Sequence, residues 1–338
     1  MKKKLDVTVL FDDDAYCPND PDFEKTDTED SVEHDVIQAL RRLGHRLTLV
    51  RVGGSVAPLV RRLTENPPDV VFNLTEQFRG ERRMDYAVAG LLELLDIPFT
   101  GTGSMGLMLC RNKAWCKQIL AAAGNVAVPR HCVIAPGAAI RLSRDMDFPL
   151  VVKPLLEDGS DGISNASVVR NAGELRERCR MIHQRFCQAA IAEQYIDGRE
   201  IYISIIGTDR LTVLPPRELF LPATARGGPR IATEHVKWNK DYRQRWGVVF
   251  DFAQVDEALE RELERTCKRT FRMLQIIDYG RIDARVTADN TVVVIEANPN
   301  PNLSRVDELA QSAEKAGIGY DALIERIMRM ALRRRRIS

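Results

Sequence analysis

The chain has 338 residues, 44% of them hydrophobic, with 49 Lys and Arg against 48 Asp and Glu. This is a globular composition, long enough for two or three domains. A net charge of +1 gives no electrostatic ground for a nucleic-acid or anionic-membrane partner, and no apolar run approaches the length of a membrane span.

The first third alternates strand and helix. "LDVTVLF", "RLTLVRV" and "PDVVFNL" read as strands, and "IPFTG" as the start of a short fourth. Between them, residues 29–43 place Val32, Val36, Leu40 and Leu43 on one helical face that Gly44 can end, and "APLVRRL" and "YAVAGLLELL" read as helices. This order predicts a parallel sheet with crossover helices. "GTGSMG" (101–106) resembles a dinucleotide fingerprint only loosely and reads as a turn. The middle is different. A helix, "KAWCKQILAAAG", precedes the strands "PRHCVIA", "FPLVVKP" and "NASVVR"; a helix follows them, then "AAIAEQYI" and a hairpin turning near Gly207. Such mixing predicts α+β architecture. Residues 223–246 are polar and basic and read as a long loop, the kind that is usually functional or disordered. A helix near 254–275, the strand pair "GRIDARV" and "TVVVIEA", and two helices complete the chain.

The seven cysteines are scattered, with no C-x-x-C, which fits reduced thiols in the cytoplasm. The basic start "MKKK" leads into an apolar run too short for a signal peptide, and "RRRRIS" reads as a solvated tail.

Only 11 of the 49 cationic residues are Lys, so a Lys in an apolar strand is conspicuous. Lys153 follows "FPLVV" and precedes the glycine-rich "EDGSDGIS". A buried ammonium needs an anionic partner. That partner is either a ligand phosphate or a protein carboxylate. Gly159, Ser160 and Gly162 favour the phosphate, because glycines let backbone N–H groups approach phosphate oxygens. No G-x-x-x-x-G-K-[ST] is present, so this is not a P-loop. Asp283 and Glu296 interrupt apolar strands in the same way, and Glu296 is followed by Asn298 and two Asn-Pro pairs. Three hard oxygen donors suit Mg²⁺ bridging phosphates; the alternative is a pair of acids bound to Arg281 or Arg285. Together with Lys153 and its loop, metal–nucleotide binding is the favoured reading.

At this point the residues resemble the ATP-grasp superfamily, and within it the D-alanine–D-alanine ligases, in order along nearly the whole chain. "CRNKAWCKQIL" resembles the helix whose Lys, here Lys113, contacts ATP phosphates; "PLVVKP" supplies a second, Lys153. "AEQYIDGRE" is similar to the adenine hinge. It implies Glu193 at the adenine amino group, Tyr195 and Ile196 at the base, and Glu200 at the ribose. "VKW" resembles the ω-loop element whose Lys, here Lys237, reaches the terminal phosphate. "YGRIDARV" and "VIEANPNP" match the segments supplying Arg281, Asp283, Glu296 and Asn298.

The resemblance implies an N-terminal parallel α/β domain (1–112), then two α+β lobes clasping ATP (113–193 and 194–338, the latter with the metal site and ω-loop). It also implies two Mg²⁺ ions, replaceable by Mn²⁺. The implied chemistry is a carboxylate–amine ligation through an acyl phosphate. Lys113, Lys153 and Lys237 would neutralise the phosphoryl charge and Arg281 would stabilise the acyl phosphate.

The substrate end departs from the family. "DDDAYCPNDPD" replaces its glycine pair, "NLTEQF" brings Glu76 near the site, Gly159 stands where the family has a Ser, and Trp238 where it has a Tyr. Asp307 and Glu308 stand where it receives a substrate carboxylate. The expected substrate residues are therefore Glu76, Trp238, Asn302 and Asp307, for amino-acid or peptide substrates other than two D-alanines. Phosphoryl transfer to a hydroxyl or small acid, and non-catalytic ATP binding, remain as alternatives. A homodimer is expected by analogy.

Overall fold

The structure is a computed structural model and describes residues 4–12, 31–122, 126–221, 231–233, 236 and 240–334. β1 (Asp6–Asp12), β2 (Arg46–Val52) and β3 (Val70–Asn73) form a parallel sheet in the order β2-β1-β3. Helices α1 (Val32–Arg42), α2 (Ala57–Glu65) and α3 (Asp85–Leu94) follow the expected crossovers. Ser31 caps α1 by accepting from the His34 N–H at 3.3 Å, and Gly44, at φ +82°, ends it. The expected fourth strand reduces to a single bridge, Val71 to Phe99. "GTGSMG" is a turn only as far as Gly103; α4 (Ser104–Arg111) begins there.

A four-stranded antiparallel sheet comes next. α5 (Lys113–Ala122) leads to β4 (His131–Ile134), β5 (Leu150–Pro154), β6 (Val168–Val169), α6 (Ala172–Phe186) and β7 (Ala190–Gln194), in the order β4-β7-β5-β6. Leu175, Cys179 and Ile182 of α6 cover its outer face, packing on Leu150, Val152, Ala190 and Ala192.

The third sheet is larger. β8 (Arg199–Gly207) is followed by β9 (Thr212–Val213), β10 (Arg217–Phe220), α7 (Lys240–Trp246), β11 (Val249–Phe252), α8 (Glu257–Met273), β12 (Asp278–Val286), β13 (Val292–Pro299), α9 (Glu308–Lys315) and α10 (Tyr320–Arg334). The order is β11-β10-β8-β12-β13, with β9 on β8. The loop expected over 223–246 is corrected at its end. Residues 240–246 form α7, whose Tyr242 packs against the cluster of Tyr202, Leu219, Val236 and Val248. The chain also forms β10 and β11, each only four residues long and too short for an alternating pattern to register. α10 packs on α1, and Leu323, Ile327 and Met328 join Val9, Val36, Leu40 and Phe72 in one core. The C-terminal helices thus complete the burial of the N-terminal sheet on one face, while α2 and α3 cover the other. No described helix is long and apolar enough to cross a membrane.

Candidate active site

The β8–β12–β13 part of the large sheet has two unlike faces. Ile201, Ile203, Ile205, Ile282, Ala284, Val286, Val292, Val294 and Ala297 pack against Leu263, Cys267 and Phe271 of α8. The opposite face carries Glu200, Tyr202, Arg281, Asp283, Glu296 and Asn298, through the pairs Tyr202–Asp283, Asp283–Glu296 and Arg281–Asn298. A bulge makes this possible. Simple alternation from Val292 and Val294 would drive Glu296 into the core. The register shifts after Asp283, so that two residues, Ile295 and Glu296, fit where one would, and Glu296 and Asn298 emerge on the polar face.

A narrow slot of about 60 Å³ runs between the two antiparallel sheets. Val151, Lys153, Ser160, Glu193, Tyr195 and Ile196 line one side, and Glu200, Asp283, Arg285 and Glu296 the other. Val151, Val168 and Ile231 form an apolar cluster there, with Ile163 and Tyr195 against it. Glu193 is held by two lysines, Lys117 at 2.8 Å and Lys153 at 3.0 Å. Burial alone would raise its pKa, but the two ammonium groups outweigh burial and hold the carboxyl at about 2. Burial likewise opposes charging of Lys153, yet Glu193 and Glu296 hold its pKa above the ordinary value. Lys153 therefore has a protein carboxylate against it, the second of the two partners its sequence context allowed. Glu200, expected at the ribose, binds Arg285 and accepts from the Tyr202 hydroxyl at 2.8 Å. Arg285 also donates to the Gly198 carbonyl at 3.0 Å.

Lys113 is the first residue of α5, capped by Asn112, which accepts from the N–H groups of Ala114 and Trp115 at 3.1 Å each. A cation there works against the helix dipole, so it does not serve the helix. Its ammonium meets Glu296 at 3.0 Å and the Glu157 carbonyl. Lys117, one turn later, shares the same helix face; it is 1% exposed and also donates to the Ile295 carbonyl at 2.8 Å. The 157–164 loop closes over this end. Gly159, Ser160 and Gly162 all have φ between +60° and +69°, and a side chain at Gly162 would meet Phe186 at 2.6 Å. Arg111 fixes Asp158 at 2.6 Å, and Arg178 holds the Gly162 carbonyl and Ser167.

Glu296 also lines a wide cleft of about 670 Å³, with Glu76, Asp158, Arg217, Arg281, Asn302 and Asp307. Arg281 is bidentate on Asp283, at 2.8 and 3.1 Å, reaches Glu308 at 3.0 Å, and lies over the Tyr202 ring at 5.1 Å. Burial opposes its charge, but Asp283 and Glu308 hold its pKa well above the ordinary value. Asp307 caps α9 by accepting from the Glu308 N–H at 2.7 Å; burial and the adjacent Glu308 push its pKa well up. Asn302 accepts from the Ser304 N–H at 2.7 Å. Asn300, at the same mouth, accepts from the Thr102 N–H at 2.7 Å and so ties the cleft to the Gly101 turn. Lys237 and Trp238 lie outside the described residues.

The donor set fits Mg²⁺. Two carboxylates from the directly paired Asp283 and Glu296, and the amide oxygen of Asn298 two residues further along β13, share one polar face, and all three are hard oxygen donors. Asp283, Glu296 and Asn298 would hold the ion. The slot offers an apolar wall of Val151, Ile163 and Ile231 and one ammonium, Lys153, and at about 60 Å³ it has to widen before a nucleotide can enter. Sequence reasoning missed Lys117 and Arg217. Lys117 had a signal: the same scarcity of lysines that exposed Lys153, repeated four residues after Lys113.

Two comparisons bear on the family. Residues 136–329 match the family model described as D-ala D-ala ligase C-terminus. An uncharacterised protein, y4sG, of Sinorhizobium fredii is 30% identical over 90% of this chain and 88% of its own length. The D-alanine–D-alanine ligase of Geotalea uraniireducens is 28% identical over 88% of each chain. Among solved structures, D-alanine–D-alanine ligase of Bacillus anthracis complexed with ATP is similar in fold, with a TM-score of 0.76 at 20% identity, covering 98% of this chain and 99% of that one.

Proposed function

Because this chain belongs to the D-alanine–D-alanine ligase family of ATP-grasp enzymes, we propose that it is an ATP-dependent carboxylate–amine ligase with a recast amino-acid pocket. ATP transfers its terminal phosphoryl group to a carboxylate, leaving ADP and an acyl phosphate. An amine then attacks the acyl carbon and phosphate leaves, giving an amide. The observation that carries this reading is the position of Glu296, which lies in both the nucleotide slot and the substrate cleft with Lys113 on it. Phosphoryl charge built up at that junction meets Lys113 and Lys153, with Lys237 as the expected third cation, and Mg²⁺ would neutralise more of it. Arg281 would turn part of its guanidinium from Asp283 to the reacting acyl oxygen.

The reading keeps 1–112, 113–193 and 194–338 as working units, with adenine between Tyr195 and Ile196 and ribose at Glu200. Exchange is its central requirement: Glu193 must trade a lysine contact for the adenine amino group, and Lys153 must trade Glu193 for phosphate. Gly159 and Ser160 would contribute loop contacts to the phosphates. Glu76, Trp238, Asn302 and Asp307 would shape the substrate pocket, and the protein would act as a cytoplasmic homodimer. Screening pairs of amino acids and amines for phosphate release, with the product identified by mass, tests it. Release that requires both partners supports ligation; a phosphorylated acid or alcohol formed without an amine supports the kinase reading.

A further inference from the structure

Arg217 is a buried cation in the wall of the cleft with no acid against it among the described residues. It opens β10, is 7% exposed, and lies over the Phe252 ring at 4.8 Å. Its guanidinium donates to two neutral acceptors, Gln311 Oε1 and, at 2.9 Å, the Phe250 carbonyl, and its Nε has no partner. Among the described residues it forms no ion pair, whereas Arg111, Arg281 and Arg285 each do. Burial lowers its pKa, and Glu308, Asp251 and Asp307 offset that only from a distance. No described acid compensates this charge at contact, which is an unfavourable arrangement for a residue that serves stability alone.

Its register shows where it points. Arg217 pairs with Tyr202, Tyr202 with Asp283, and Asp283 with Glu296, so the four stand in one row on the polar face. Neighbouring strands are about 4.8 Å apart, which puts Arg217 about 10 Å along the row from Asp283. Both ends of that row line the same cleft. Asp307 and Glu308, at the start of α9, line the same cleft wall as Gln311, the residue that holds Arg217.

We propose that Arg217 is the receptor for a carboxylate on the acceptor substrate, about two strand spacings from the reacting centre. The planar guanidinium retains N–H groups for a charge-assisted pair with one carboxylate. The acids at 307 and 308 then face the amine end of the same molecule. The acceptor is thus an amino acid or short peptide with a free carboxylate rather than a simple amine or diamine. This rests on the ligase reading above.

The test pairs each free amino acid and dipeptide in an acceptor panel with its C-terminal amide, for the wild type, Arg217→Gln and Arg217→Lys. Wild type is expected to favour the free acids by about tenfold to a hundredfold in kcat/KM, from one charged hydrogen-bond pair. Arg217→Gln brings the acid-to-amide ratio close to one, mainly through KM for the acid, and Arg217→Lys keeps part of it. The melting temperature of ligand-free Arg217→Gln equals or exceeds that of the wild type. A wild-type ratio near one, an unchanged ratio in Arg217→Gln, or a lowered melting temperature with acids and amides lost in parallel would overturn the assignment. Binding without turnover separates the two readings. If no amide forms with any pair, the ligase reading fails. Thermal shifts by acids and amides on the Mg·ATP-loaded protein still judge Arg217: a shift by acids that Arg217→Gln abolishes supports it, and equal shifts in both proteins refute it.

Discussion

In the slot, Glu193 is gripped by Lys117 and Lys153, and Glu200 by Arg285 and Tyr202. In the cleft, Arg217 meets an amide oxygen, a carbonyl and the Phe252 ring, and no acid among the described residues. The slot stores its charges as pairs that a nucleotide can exchange one for one, so its lysines are neutralised before any ligand arrives. The cleft keeps a cation in reserve. A charged residue can therefore be functional in two ways, by a pair that must be broken or by a pair that is missing, and only the second is visible as an imbalance.

The sharpest way to break the comparison is at Glu296, which belongs to both regions. Glu296→Gln and Asp283→Asn each remove an anionic donor from the predicted Mg²⁺ site and should lower kcat by about a thousandfold or more while leaving the fold intact, by steady-state phosphate release and circular dichroism. Near-normal turnover at saturating Mg²⁺ in either variant would remove the metal assignment.

Lys117 and Lys153 divide the two kinds of pairing within the slot. Lys117→Met strips one cation from a carboxylate that is 2% exposed and should cost about 3–5 kcal/mol of stability in denaturant unfolding. Lys153→Met should cost less stability, because Lys117→Met also strips the donor from the Ile295 carbonyl, and should instead raise the KM for ATP by at least about tenfold. Equal stability losses with unchanged ATP affinity would make both lysines structural.

The pH dependence follows from Glu193. Its carboxyl sits at about 2 against an ordinary 4.5, so its pairing stabilises the fold fully above 4.5 and is lost as pH falls from there toward 2. Wild type should lose melting temperature over that window, and Lys117→Met should lose less of it. A smaller effect of opposite sign comes from Asp278, which burial raises to about 6 although Arg334 and the Gly101 N–H oppose the shift. The folded protein holds that proton more tightly than the unfolded chain. Stability from this group therefore declines as pH rises from 3.8 to about 6, and Arg334→Gln should steepen the decline.

The sequence made the slot legible and left the cleft obscure, for physical reasons. Lys153, Asp283 and Glu296 stood out because each interrupts an apolar strand, where a charge has to be explained. The parallel sheet and its crossover helices were equally plain from periodicity. The bulge after Asp283 could not be read, because alternation alone places Glu296 with Val292 and Val294. Lys117 was hidden by helical spacing, which makes an i, i+4 lysine look like a surface residue. Arg217 was hidden among 38 arginines, at the start of a short strand whose apolar pattern is too brief to register.

The most direct test of the whole account follows oxygen. A carboxylate substrate labelled with ¹⁸O is incubated with Mg·ATP, an amine and the enzyme, and the phosphate and product are weighed by mass spectrometry. Ligation through an acyl phosphate predicts one labelled oxygen in each phosphate released, one amide per ADP, and loss of both in Glu296→Gln. Unlabelled phosphate, or a stable phosphorylated product formed whether or not the amine is present, would contradict it.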